Sequence, residues 1–228
     1  MKKIILLSLV LLQLSLVSMA RKGKVVVKKA HAASTQKTTK KIKVIPLLEL
    51  FDIDGKPYVI NKGDKLVYKV NANGQQYDFI VTINQHDDNG IDFGYSMTNT
   101  SKKWGSVHIS SDAASNATNY INYFRGGPIN LTNAISVWVS GSNFTDLMSH
   151  ETNMSFDDGP LETFYKPDEA VVNPTINFKG KEIKLKGYKI NNKENQTGDK
   201  TVWINNSFNN TLILKMDIGF TIELKEIK

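Results

Sequence analysis

DKLVYKVNANGQQYDFIVTINQHDDNGIDFGYSM (residues 64–97) decides the fold. Leu66, Tyr68 and Val70 recur at every second position and share one face. Tyr77, Phe79, Val81 and Ile83 do the same, and so do Ile91, Phe93, Tyr95 and Met97. Side chains of a strand point to opposite faces with period two, so each run predicts a strand with one packed face and one wet face. Between the runs stand Asn-Ala-Asn-Gly at 71–74 and Asp-Asp-Asn-Gly at 87–90. Asn and Gly tolerate positive φ, which tight hairpins require. Three antiparallel strands in a meander follow.

Similar punctuation recurs toward the C-terminus, at 179–181, 191–199 and 207–210. Ile218, Phe220, Ile222 and Leu224 alternate with Gly219, Thr221, Glu223 and Lys225, which predicts a last strand over them. One helix is expected over residues 112–124. Ser110, Ser111 and Asp112 offer an N-cap, and Ala113, Ala117, Ile121 and Phe124 fall on one helical face. Gly126-Gly127-Pro128 would stop it. Ser106–Ser110 and residues 135–140 read as strands, and residues 142–149 as a short helix. About ten strands would overload a flat open sheet, so the sheet should curl. The expected fold is mainly β: a curved antiparallel sheet or incomplete β-barrel with one covering helix, the closed small barrel being the alternative.

The chain carries a net charge of +7, from 29 Lys and Arg against 22 Asp and Glu. Nine of the positive charges lie in RKGKVVVKKAHAASTQKTTKKIK (residues 21–43), which has no carboxylate. From Val44 onward the balance is −4. A nucleic-acid-binding fold would carry the positive stripe on its own surface, so no nucleic-acid partner is expected. The Lys, Ala, Ser, Thr and Gln composition of 21–43 reads as a disordered basic spacer. Before it, Lys2 and Lys3 precede an apolar run over residues 4–17, too short for a membrane span and of signal-peptide length. Ser18-Met19-Ala20 places small residues at the cleavage positions, with Ala30-His31-Ala32 as a second possibility. The organisation expected is a signal peptide at 1–20, the basic tail at 21–43 and one β-rich domain at 44–228. The protein would be exported, to periplasm or medium, without a transmembrane span after cleavage. It has no cysteine, so its core alone must hold it.

Motifs for catalysis are weak. No histidine pair has metal-ligand spacing, and neither metal nor cofactor is expected. Asp52-Ile53-Asp54-Gly55 resembles the start of a calcium loop, but the twelfth position is Gly63 rather than a carboxylate, so a turn is the better reading. Asp146 and His150 stand four apart on the expected short helix, yet no Gly-x-Ser-x-Gly supplies a nucleophile. The expectation is a protein that is not an enzyme. Trp138 lies between Val137 and Val139, and Trp203 between Val202 and Ile204. Strands apolar on both faces are buried twice or line a cavity. An apolar pocket formed by Trp138, Trp203, Phe124 and Ile121 is the candidate site.

The stretches KGDKLVYKVNANGQQYDFIVTINQ, NYINYFRGGPINLTNAISVWVS and TVWINNSFNNTLILKMDIGFTIELKEI resemble a group of uncharacterised exported β-rich proteins of Gram-negative bacteria. The resemblance spans most of the chain from Gly63 and implies no catalytic residues. The chain is more loosely similar to periplasmic half-barrel proteins, including lipoprotein carriers, which hold an apolar cavity under a helical lid. The functional expectation is therefore binding of a lipid, another apolar ligand or a cell-envelope component. The alternatives are a module docking an envelope protein through its sheet, and a hydrolase of envelope polymers.

Overall fold

The structure, a computed structural model, describes residues 48–99, 103–168, 171–193 and 198–228. The expected signal and the basic run lie outside them. The described residues belong to one unit, Lys43–Lys228. Strands β1 (Leu48–Phe51) and β2 (Pro57–Ile60) pair as a separate ribbon. The stretch first quoted forms β3 (Lys65–Ala72), β4 (Gln75–Asp87) and β5 (Gly90–Met97), and β6 (Trp104–Ser110) extends the meander. Asn73 and Gly74 both have positive φ, 51° and 73°, as the β3–β4 turn requires. Next come α1 (Ser111–Asn116), β7 (Asn119–Tyr120), β8 (Gly127–Leu131), β9 (Ala134–Ile135) and α2 (Gly141–Ser149). The second half contributes β10 (Glu151–Phe156), β11 (Glu162–Tyr165), β12 (Val171–Val172), β13 (Thr175–Phe178), β14 (Lys181–Lys184), β15 (Gly187–Asn192), β16 (Thr201–Asn205), β17 (Ile213–Asp217) and β18 (Thr221–Ile227).

One 16-stranded sheet curls through the order β8-β6-β5-β4-β3-β18-β17-β16-β15-β11-β10-β7-β9, with β12, β13 and β14 attached beside it. The C-terminal strand β18 pairs antiparallel with β3 and so joins the two halves. Most ladders are antiparallel. β6–β8, β7–β10, β7–β9 and β13–β18 are parallel. The end strands β8 and β9 are joined in the chain by Thr132 and Asn133 alone, yet no ladder joins them among the described residues. The protein is thus a mainly β, nearly closed barrel with one unsealed seam.

Phe79, Val81, Ile83, Phe93 and Tyr95 are buried on the inner face, as their alternation predicts. Three expectations fail, the first being the strand over residues 135–140, which is regular only at Ala134–Ile135. The helix expected over 112–124 ends at Asn116, and Ala117 already has extended φ and ψ of −64° and 134°. Beyond it stand Thr118, Asn119, Tyr120, Ile121, Asn122, Tyr123 and Phe124, poor helix formers that suit extended backbone. Ala113, Ala117, Ile121 and Phe124 are all buried, so their spacing marked burial rather than a helical face. The last strand also begins later than expected. Ile218 to Phe220 form its hairpin turn, with Gly219 at φ 98°, and a register shift between Leu224 and Glu226 turns Ile227 inward. Residues 142–149 are helical as expected, with Ser140 as N-cap.

What fills the barrel is its own chain. Every residue from 134 to 140 is buried, although only Ala134–Ile135 is a regular strand. A buried backbone must place its polar groups, and this one does. The Val137 N–H donates to the Tyr120 hydroxyl at 2.7 Å, and the Val137 carbonyl accepts from Ile213 N–H at 2.9 Å. Val139 N–H donates to the Thr211 carbonyl at 3.0 Å, and the Thr211 hydroxyl donates to the Val139 carbonyl. Val137 sits at φ 68°, a strained conformation for a β-branched residue, held by these bonds. Burial raises the pKa of the Tyr120 and Tyr68 phenols, so both stay protonated. The Tyr68 hydroxyl donates to the Ile213 carbonyl at 2.9 Å.

Candidate functional site

The four aromatic and apolar residues expected to form one pocket do not converge. Phe124 stacks on Phe79 with centroids 4.6 Å apart and meets Tyr95 at 4.7 Å. Beside it the barrel leaves a space of about 30 Å³, lined by Tyr68, Phe79, Tyr120 and Phe124 among others. That holds a water or so, and a lipid chain has no room there. Ile121 faces a groove of about 440 Å³ along the seam, with Tyr123, Arg125 and Pro128. Trp203 is half-buried on β16 beneath the Lys215 ammonium, 4.8 Å from the ring centre. Trp138 packs on Phe93 at 5.8 Å and His86 at 6.2 Å. Its indole N–H donates to Asn210 Oδ1 at 3.0 Å.

Trp138 and Val139 also help line an open cleft of about 640 Å³. Four stretches far apart in sequence build its walls. The β4–β5 hairpin brings His86, Asp87, Asp88 and Ile91. α1 contributes Ser111, Ala114, Ser115 and Asn116, and α2 contributes Gly141, Ser142 and Thr145. Phe208, Asn209 and Thr211 come from the loop between β16 and β17. The volume falls within the range typical of small-ligand pockets, about 300–1,000 Å³.

The Phe208 loop is fixed from beneath. Asn205 Nδ2 donates to the Asn210 and Glu49 carbonyls at 2.7 and 3.0 Å, and Asn210 Nδ2 reaches Glu49 at 3.1 Å. Asn205 and Asn210 are buried, whereas Phe208 between them is 66% exposed. Its ring meets Phe144 edge-on, 5.0 Å away. His86 Nδ1 is buried without a hydrogen-bond partner among the described residues. Burial lowers the His86 pKa from its ordinary value, against smaller opposing effects of its own backbone and of Asp87. The ring is neutral at pH 7 and can present a lone pair.

Other candidates resolve as local structure. Asp52 Oδ1 accepts from the Asp54 and Lys56 N–H groups at 3.0 and 2.8 Å, which is a turn. Asp146 and His150 are joined by the cap of α2, His150 N–H to the Asp146 carbonyl at 2.8 Å. Among the described residues no group of three or more His, Cys, Asp or Glu could hold a metal ion. Among them, too, no helix is long and apolar enough to cross a membrane. Sequence reasoning located Trp138 and the turn carrying Phe208. It missed the exposed Ser115 and Thr145 faces of the two helices, because small polar residues read as solvated surface.

No protein-family model matches the chain, and the searches of curated proteins and of solved structures find nothing similar to it.

Proposed function

We propose that this chain is an exported, non-enzymatic binding protein that docks a cell-envelope component in the cleft between α1, α2 and the Phe208 loop. Export rests on the charged, apolar and small-residue order of residues 1–20 and on the resemblance to exported β-rich proteins of Gram-negative bacteria. Docking rests on one observation: the barrel is filled, while a cleft of about 640 Å³ with a polar wall and an exposed aromatic rim lies open.

The test is cosedimentation of the purified full chain with isolated Gram-negative envelopes. Thr145→Arg places a long cation in the cleft from an exposed helical position. The expected result is retention of the parent chain and its loss in Thr145→Arg. A second reading, docking of an envelope protein at the seam, is favoured by the outer edge of β8, which pairs with no strand among the described residues, and by the exposed Tyr123 beside it. In that case Tyr123→Glu would abolish retention and Thr145→Arg would not.

A further inference from the structure

We infer that the seam is the interface of a twofold-symmetric dimer, in which β8 meets its own copy antiparallel and the Arg125 end of each seam groove meets the Asp158 end of the other. The surface lies apart from the cleft, and the inference does not depend on the docking role proposed there.

The seam groove carries opposite charges at its two ends. Arg125 stands at one end, with Gly126 and Pro128. The residue is exposed, and its guanidinium lies 5.1 Å over the Tyr123 ring. The β6–β8 register sets Gly105 beside Gly127, which brings exposed Lys103 to the same end. At the other end Asp158 accepts from Asn119 Nδ2 at 2.6 Å, and Asn119 stands beside Ala134 in the β7–β9 ladder. Asp158 is exposed as well, and half-buried Asp157 precedes it. Between the ends run the five residues of β8, about 16 Å of strand. A twofold axis through the middle of such a surface exchanges its ends, so a second copy brings negative to positive and positive to negative. A peptide of another protein would have to carry the reversed charge order by its own sequence.

The strand between the charges suits the same axis. Pro128 and Asn130 are exposed, beside exposed Ser106 and His108 of β6, whereas Ile129 is half-buried and Leu131 is buried. An antiparallel pair centred on Ile129 sets Ile129 against Ile129 of the second copy on the apolar face, and Pro128 against Asn130 on the wet face. The same register sets Arg125 against Asn133 of the second copy, at the end where Asp158 stands. Among the described residues the outer edge of β8 pairs with no strand, and such an edge is a template for pairing between chains. Pro128 has no N–H, so the ladder is incomplete, and the end charges with exposed Tyr123 and Trp104 supply the rest of the contact.

The experiment is sedimentation equilibrium of the full chain at concentrations up to about 100 μM. A dimer is expected. Asp158→Asn keeps an acceptor for Asn119 and tolerates the φ of 61° at this position, and it removes the charge. It should weaken the dimer about tenfold, and Arg125→Glu should weaken it more, both with unchanged far-UV circular dichroism. The decisive sample is an equal mixture of Arg125→Glu and Asp158→Lys. Each variant alone sets like charges together, but in the mixed dimer both pairs are opposite again, so it should form about as tightly as the parent dimer. Thr145→Arg, in the cleft, should leave the dimer unchanged. A monomeric parent chain at the highest concentration overturns the inference. So does a dimer that Asp158→Asn and Arg125→Glu leave intact, or a mixture that associates no better than its two components.

Discussion

Replacing Trp138 with Phe tests whether the buried segment carries the barrel's interior. Trp138 is 1% exposed, and its N–H bond to Asn210 Oδ1 is 3.0 Å long and buried. Phe cannot donate, so the Asn210 acceptor would be left in the interior, at a cost of about 1–3 kcal/mol. The smaller ring gives up packing on Phe93 and His86, worth about 1 kcal/mol more. Together these give a loss of about 2–4 kcal/mol, against a total stability of about 5–15 kcal/mol for ordinary domains. The variant should fold and unfold earlier. With urea slopes of about 1–3 kcal/mol/M, the midpoint should fall by about 1 M or more. The assay is equilibrium unfolding followed by far-UV circular dichroism, since the substitution removes a fluorophore. Trp104→Phe is the control. Trp104 is 74% exposed at the start of β6, and its loss should stay within about 0.5 kcal/mol. Equal effects of the two substitutions, or a Trp138→Phe loss below about 0.5 kcal/mol, would refute the packed-interior reasoning.

Three further outcomes are expected. Lys200→Met takes the ammonium from Glu162, whose side chain is 3% exposed and keeps the Asn192 Nδ2 donor at 3.2 Å; unfolding should show a loss of about 1.5–3 kcal/mol. Gly105→Ala would set a Cβ 2.0 Å from the Gly127 carbonyl oxygen, where β6 and β8 meet; amide exchange should accelerate along β8 beside the seam while β3 to β5 stay protected. Burial lowers the folded-state pKa of His86 below 6.5, so the unfolded chain takes up the proton first as pH falls; this contribution is complete above pH 6.5 and shrinks below it, down to the folded value. His86→Phe should flatten the pH dependence of urea stability in that window, and an unchanged slope would show that the imidazole is solvated.

The meander was legible because its alternation and its Asn-Gly turns agree on the same strands. Its closure was not. The β3–β18 ladder joins residues about 150 positions apart, and a pairing at that range leaves no local pattern. Residues 112–124 misled because three- and four-residue spacing of apolar groups also suits an extended segment wedged into a core. The alternation of Ile218 and Phe220 lay in a turn, and the register shift at the end of β18 reversed the phase. Trp138 was recognisable as an apolar residue flanked by apolar residues. The cleft was not recognisable, since it forms only when the His86 hairpin, α1, α2 and the Phe208 loop meet at one end of the barrel. Nothing in SSDAAS or GSNFTD distinguishes a ligand-facing helix from a solvated one.

The claim that the barrel is filled by its own chain, leaving ligands to the open cleft, is tested most directly by native mass spectrometry. The chain would be purified under native conditions from an expressing bacterium and weighed before and after extraction with organic solvent. The filled interior predicts that extraction removes no mass. A stoichiometric apolar adduct lost on extraction would contradict it, and would mean that residues 134–140 yield their place to a guest.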